Sequence, residues 1–360
     1  MNELAREIRR QIESDGPVTF ARFMEMALYA PGFGYYERPE RIGRDGDFFT
    51  SVSTGPLFGQ LLAFQFAEWV DSELPEGKFQ VVEAGAHDGR LAADILDWLG
   101  RYRPDLVSRL EYFLVESSAA RRAWQEKTLR PWTQNVKWVS SIGDFGEPGI
   151  SGIVFSNEFF DAFPVHRLAW DAQQSRWREW RVVMAQDTFA WKLDMPAGAL
   201  DGRLPAVPPE LAAVLPDGFI TEVSPAALDW WGAAGAALRR GKLLTIDYGF
   251  SAENGLRPDR PQGSLRAFAG HHVSDDLLAQ PGEQDLTADV NFFALEKAGR
   301  AAGLGPGHLI RQSKFLTQIV AKIQARPEGF APWDRKTARQ FQTLAHPEQL
   351  GHRFQVLIQY

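Results

Sequence analysis

The chain contains no cysteine, which removes disulfides, thiolate zinc sites, iron–sulfur clusters and cysteine nucleophiles together. A basic excess is also missing: Asp and Glu outnumber Lys and Arg 46 to 39, for a formal net charge of −7. General nucleic-acid and membrane-surface binders carry the opposite balance, so neither partner is expected. A local basic groove stays open, because net charge does not describe distribution. No stretch approaches the roughly 20 apolar residues of a membrane span. The opening MNELAREIRRQIESDG lacks an apolar signal core and reads as an amphipathic helix with Leu4, Ile8 and Ile12 on one face. The resulting expectation is a cytoplasmic protein. Internal repeats and low-complexity tracts are absent as well.

What remains is ordinary globular material. The 360 residues are 44% hydrophobic and 24% charged, enough for one large domain or two of usual size. A Gly/Pro-rich loop, APGFGYYERPERIGRDGDFFTS, precedes a helix expected from Pro56 to about Ser72. Short apolar runs then alternate with helical patterns: FQVVEAG (79–85), LEYFLVES (110–117), VKWVSS (136–141), GIVFSNEFFDAFP (152–164) and KLLTIDYG (242–249). Unbroken apolar runs separated by helices describe buried parallel strands in βαβ units, an α/β, Rossmann-like sheet. The runs end at or near acids or other polar residues, where open α/β sheets bind ligands. Between the fourth and fifth runs, residues 166–222 hold alternating aromatic segments and a Pro-rich loop, read as an insertion with a β-hairpin. After Gly249 a long polar loop is expected, then a helix near 288–302 and a closing strand in RFQVLIQY.

Several clusters have the residue types for a binding site. In EAGAHDG, Gly85 allows a sharp turn and close ligand approach, Gly89 allows tight packing at a helix start, and Glu83 suits a cationic amino group. The segment lacks the G-x-G-x-x-G spacing of a pyrophosphate cradle, which argues against a nicotinamide dehydrogenase. Glu116, followed by Ser117, ends the second run where such sheets hold ribose hydroxyls. Asp144 and Phe145 suit an adenine amine and ring face. In NEFFDAFPV, Asn157 leaves an apolar strand, and Glu158 and Asp161 would share one side if they lay on one helical turn. Carboxylates among phenylalanines make a place for a cation; the alternative is acids complementing a helix N-terminus. His271 and His272 lack metal-ligand spacing or a third ligand, so no metal is expected.

GDFFTS, E-x-G-x-x-x-G, NEFFDAFPV, Glu222-Val223-Ser224, IDYG, GSLRAF and PGEQDLTADVNF occur in the order seen in MidA-like proteins, and the chain resembles that family over nearly its whole length. The family comprises methyltransferases dependent on S-adenosylmethionine (SAM), and includes a mitochondrial complex I assembly factor that dimethylates an arginine. The resemblance implies a SAM-methyltransferase sheet, SAM as cofactor and S-adenosyl-L-homocysteine as product. A helical and loop segment over 1–75 would cover the cofactor, with the methyltransferase domain over 76–360. It implies that Gly46, Asp47, Phe48, Thr50 and Ser51 help enclose the cofactor together with Glu83, Gly85, Gly89, Glu116, Ser117, Asp144, Phe145 and Asn157. Glu158 and Asp161 would contact an acceptor guanidinium, with Asp247 and His272 assisting. The implied acceptor is a protein, such as a respiratory complex I subunit. The alternatives are a SAM-binding assembly factor without catalysis and a methyltransferase for small molecules. The sequence departs from the family at Gly85-Ala86-His87, where Gly-Pro-Gly is usual, at Ser51-Val52-Ser53 for Ser-Pro-Glu, and at Val290-Asn291-Phe292 for Val-Asp-Phe. The lost acids at 53 and 291 bear on the acceptor more than on the cofactor.

Overall fold

The computed structural model describes residues 1–38, 50–74, 76–269, 272–274 and 276–360. The chain opens with α1 (Glu3–Asp15), β1 (Val18–Thr19), α2 (Phe20–Tyr29) and α3 (Leu57–Glu73). An alternating stretch follows: β2 (Phe79–Ala84), α4 (Arg90–Tyr102), α5 (Pro104–Val107), β3 (Leu110–Val115), α6 (Ala119–Thr128), β4 (Val136–Val139) and β5 (Ile150–Asn157). Then come β6 (His166–Asp171), β7 (Arg176–Ala185), β8 (Thr188–Asp194), α7 (Pro209–Ala212), β9 (Ile220–Val223), α8 (Pro225–Ala237) and β10 (Leu238–Phe250). The last part holds β11 (Arg266–Ala269), β12 (His272–Ser274), β13 (Asp285–Thr287), β14 (Val290–Asn291), α9 (Phe292–Ala301), β15 (His308–Arg311), α10 (Gln312–Ala325), α11 (Arg335–Ala345) and β16 (Phe354–Gln359).

The chain divides into two interleaved compact units. Unit one comes from the described parts of 1–48, 160–229 and 250–295, and unit two from those of 49–159, 230–249 and 296–360. The boundary expected near residue 75 thus falls inside unit two, and the 166–222 insertion belongs to the same unit as the N-terminal helices.

Unit two carries the Rossmann-like sheet, in the order β15-β16-β10-β5-β2-β3-β4. β10, β5, β2, β3 and β4 are parallel neighbours, whereas β16 runs antiparallel to both β10 and β15. From β2 the chain proceeds outward to β3 and β4, then crosses back to β5 and β10, so the topological switch point lies between β2 and β5. Helix α3 is apolar almost all round, as expected of a helix buried within its layer; Phe58, Leu61, Leu62 and Phe66 are essentially inaccessible and join Val81, Phe155 and Leu244 in one core.

In unit one, an antiparallel sheet has the order β1-β7-β6-β9, with β8 on β7. The insertion is therefore a meander of hairpins, as its alternating aromatics suggested. Leu4, Ile8 and Ile12 of α1 pack with Phe20 and Phe23 of α2 and with Val182 of β7. Asn2 caps α1 by accepting from the Ala5 N–H at 2.8 Å, and Gly16 ends it at φ 85°. A second sheet of unit one, β12-β11-β13, replaces much of the loop expected after Gly249. Its strands are only three or four residues long, too short to display a period-two pattern.

Candidate active site

In unit two the site is assembled at the C-terminal ends of β2, β3, β5 and β10. Gly85 leaves β2 at φ 73°, and Gly89 opens α4 at φ 81°. A Cβ on Gly85 would stand 2.7 Å from Cδ2 of Phe159, so glycine is needed for both backbone angle and space. Phe159 in turn meets Trp230 edge-on, with ring centroids 5.1 Å apart. At Gly89 a Cβ would meet Leu129 at 3.2 Å and the Gln125 backbone at 3.4 Å, so this position lets α6 pack closely.

Glu116 stands at the end of β3, 5% exposed, and its oxygens are heavily engaged. Oε1 accepts from Ser118 N at 2.8 Å and Arg121 Nη2 at 2.9 Å, while Oε2 accepts from Arg121 Nε at 2.9 Å and Gln125 Nε2 at 3.3 Å. Gln125 Nε2 also donates to the His87 carbonyl at 3.0 Å, tying the glycine turn to the second strand tip. Ser117 is exposed beside it. Asp144 closes its own turn, accepting from Ser140 N at 2.8 Å and Ser141 N at 3.0 Å, and Phe145 lies edge-on to Phe113 at 5.0 Å. Glu83 differs from its expected placement at the ligand edge. It is 2% exposed within the sheet and accepts from the Tyr112 hydroxyl at 2.5 Å. Burial pushes its carboxyl up to about 8, so it is largely neutral at neutral pH.

The NEFFDAFPV stretch contains no helix; after β5 the chain bends and turns. Glu158 sits at φ 49°, a conformation non-glycine residues rarely adopt. Its N–H donates to Ile246 O at 2.9 Å, and its Oε1 accepts from Ser51 N and Asn157 Nδ2, each at 3.1 Å. Ser51, fully buried, also donates to Gln312 Oε1 at 3.4 Å. Asp247 is fully buried and accepts from Phe159 N at 3.1 Å and Tyr248 N at 2.9 Å. These bonds hold the main chain on either side of the site.

Unit two therefore brings together Ser51, Asn157, Glu158 and Asp247, whereas Asp161 and His272 belong to unit one. The one-turn pairing of Glu158 with Asp161 is replaced by a turn that crosses from one unit to the other. His272 is exposed on β12. Gly46, Asp47 and Phe48 lie outside the described residues. Gln312, Arg121, Gln125, Tyr112 and Trp230 complete the network but were not foreseen, since no motif marks them. Among the described residues no group of His, Asp or Glu is placed to hold a metal ion.

The family departures become legible here. Ser53 Oγ accepts from Thr50 N at 3.0 Å, while Thr50 Oγ1 accepts from Ser53 N at 3.1 Å. This reciprocal pair closes the turn locally, with serine where the family usually has Glu. Asn291 Oδ1 accepts from Ala294 N at 3.3 Å at the start of α9, a bond aspartate makes equally well. In unit one, Glu222 Oε2 accepts from both Ser264 N and Ser264 Oγ at 2.9 Å, and Ser264 Oγ accepts from Asp289 N at 3.0 Å. The EVS, GSLRAF and DLTADV motifs thus form one network.

The residues fit a SAM-type nucleoside. Gly85 turns the main chain sharply at the strand tip, and Asn157 Oδ1 is buried without a hydrogen-bond partner among the described residues, an acceptor suited to an amino group.

The profile of a family of S-adenosyl-L-methionine-dependent methyltransferases matches residues 61–308. The chain is 31% identical to the mitochondrial protein arginine methyltransferase NDUFAF7 of Mus musculus, over 98% of this chain and 83% of that one. It is 28% identical to the Drosophila melanogaster homolog, over 99% and 84%. A crystal structure from Burkholderia thailandensis bound to S-adenosyl-homocysteine superposes with a TM-score of 0.83 at 31% identity, covering 99% of this chain and 91% of that one. These relatives correct one expectation: they are named as mitochondrial proteins, which contradicts the expected cytoplasmic location. The chain belongs to this family of SAM-dependent methyltransferases.

Proposed function

We propose that the chain transfers the methyl group of SAM to an arginine guanidinium on a protein partner, such as a respiratory complex I subunit. The observation that carries this reading is the strand-tip network in which Glu158, at φ 49°, has one carboxylate oxygen fixed by Ser51 N and Asn157 Nδ2. The names of the relatives support arginine as acceptor. When bound, SAM supplies an electrophilic methyl group on a cationic sulfur.

Gly85 and Gly89 would admit the nucleoside beside the main chain, Glu116 and Ser117 would take the ribose, and Asp144 and Phe145 the adenine. Asn157, Thr50 and Ser51 would face the amino-acid end, with Gly46, Asp47 and Phe48 enclosing it. Glu116 can serve the ribose only by sharing or exchanging its Arg121 contact, because both oxygens are occupied by donors. Arginine is protonated in water, so its nitrogen must lose a proton as it gains a carbon. Glu158 orients the guanidinium and takes that proton, while Asp247, through Phe159 N, keeps the turn in position. The altered residues Ser53 and Asn291 close local hydrogen bonds, so they give a non-catalytic reading no structural motive.

The test is incubation of the purified protein with isotope-labelled SAM and its own cell lysate, followed by mass spectrometry. Labelled methylarginine on a protein is expected; label on a metabolite or on another side chain would replace the reading.

A further inference from the structure

The segment that delivers Ser51 to Glu158 is held from the far end of the chain. All of its partners lie in unit two. Ser51 N donates to Glu158 Oε1 at 3.1 Å, Ser51 O accepts from Thr54 Oγ1 at 2.8 Å, and Ser51 Oγ donates to Gln312 Oε1 at 3.4 Å. Gln312, the first residue of α10, is fully buried, and its Nε2 donates to Leu344 O near the end of α11 at 3.0 Å. The same segment ends at Leu57, where α3 begins behind Pro56 with no side-chain cap of its own. Gln340 of α11 supplies the missing acceptor: its Oε1 takes Leu57 N at 3.1 Å, across 283 positions of sequence. Gly55, at φ 131°, lets the chain pass beside that amide, since a Cβ there would stand 2.6 Å from Gln340 Nε2.

Cohesion alone does not call for these amides. Phe315, Leu316 and Leu344 already join Leu57, Phe58 and Leu61 in one core. A buried carboxamide costs free energy unless its ends are bonded, and an apolar side chain of equal size would fill the same space. What the amide adds is direction. Gln312 offers an acceptor to Ser51 Oγ and a donor to Leu344 O, so it sets the spacing between the 51–57 segment and the helix pair. Ser51 N then has one orientation, and through it one oxygen of the Glu158 carboxylate has one place. Displacing a reacting group by about 1 Å is enough to cost about 100-fold in rate.

We infer that Gln312, backed by Gln340, is a positioning residue for methyl transfer: the C-terminal helices α10 and α11 brace the 51–57 segment so that the Ser51 N–H aligns the Glu158 carboxylate. This deepens the reading of Glu158 above and rests on it. Neither glutamine moves a proton or a methyl group; both act through the main chain that carries Ser51.

The experiment follows label transfer from SAM to protein in a lysate of cells lacking this chain, with the SAM concentration varied, beside calorimetry with S-adenosyl-L-homocysteine. Gln312→Met is close in shape but has neither amide donor nor amide acceptor. It should lower the rate at saturating SAM about tenfold or more, with the KM for SAM and the affinity for S-adenosyl-L-homocysteine within about threefold of the parent. Gln312→Glu keeps an acceptor for Ser51 Oγ and should recover most of that loss, and Gln340→Met should lose severalfold. The control is Lys322→Met, which cuts another polar tie of α10, Lys322 Nζ to Gln65 Oε1 at 2.9 Å, without touching the 51–57 segment; its rate should stay close to the parent's. Should Gln312→Met fail to fold, Ser51→Ala removes the same bond and keeps the main-chain N–H, and the same selective loss of rate is expected. An unchanged rate in the folded variant, or an equal loss in Lys322→Met, overturns the brace; an unchanged rate in Gln340→Met removes Gln340 from it. The failures separate: full turnover in Glu158→Gln ends the role of Glu158 itself, whereas an inactive Glu158→Gln beside an unaffected Gln312→Met ends only the brace.

Discussion

At the strand tips of unit two, carboxylates are tied to the main chain. Asp247 accepts from the Phe159 and Tyr248 N–H groups, Glu158 from Ser51 N, and Glu116 from Ser118 N as well as from Arg121. In unit one, by contrast, the Tyr36 hydroxyl donates to Asp285, and burial with nearby carboxylates holds its proton in place. The first arrangement fixes the backbone of the strand-tip loops, and the second ties a side chain of one segment to a strand far away in sequence. Acidic residues thus serve different local ends, and their hydrogen-bond partners tell them apart.

That contrast can be broken at several points. Replacing Glu158→Gln keeps a side chain that can still accept from Ser51 N but removes the proton acceptor. Methyl transfer should fall by about 100-fold or more, in the range of general-base catalysis, while calorimetry with S-adenosyl-L-homocysteine changes little; unchanged turnover would remove Glu158 from the mechanism. Gly85→Ala forces a Cβ into Phe159 at a φ of 73°. Affinity for S-adenosyl-L-homocysteine should then drop at least about tenfold, as strain of roughly 1–3 kcal/mol would produce, and an unaltered isotherm would show that the ligand does not approach this turn. Arg121→Ala strands the buried Glu116 carboxylate and should cost about 3 kcal/mol in urea unfolding; a much smaller loss would mean that Gln125 and Ser118 suffice.

A pH-dependent effect concerns Glu83, whose folded value of about 8 lies above its ordinary 4.5. Its contribution to stability is therefore complete below pH 4.5 and is lost as pH rises toward 8, at about 1.4 kcal/mol per pH unit. In Glu83→Gln that pH-dependent loss disappears, so the stability gap between variant and parent should shift in the variant's favour from pH 5 to 8. A gap that stays constant with pH would show the carboxyl is ionised in its buried site.

Much of unit two was legible because long apolar runs ending in acids have few other readings: β2, β3, β4, β5 and β10 all lie within or overlap the runs that announced them. The glycine turn and the position of Glu116 followed from the same logic. Sequence does not show how deeply Glu83 is set: side-chain direction alternates along a strand, and its position puts it beside Tyr112 within the sheet. Sequence also does not show that two backbone N–H groups donate to Asp247. The condition of one helical turn at NEFFDAFPV is not met, since Glu158 N bonds across to Ile246 O on β10. The β11–β13 sheet stayed hidden behind strands too short to show a period, and with it the link between Asp285 and Tyr36, 249 positions apart. Long-range convergence of that kind leaves no local pattern.

The most direct test of the strand-tip site is a paired measurement on Gly85→Ala and Glu158→Gln, each shown by its melting curve to be folded: affinity for S-adenosyl-L-homocysteine by calorimetry, and methyl transfer from labelled SAM. The account predicts that the first variant loses the nucleoside and turnover together, whereas the second keeps the nucleoside and loses turnover. Unchanged affinity in Gly85→Ala, or unchanged turnover in Glu158→Gln, would contradict it.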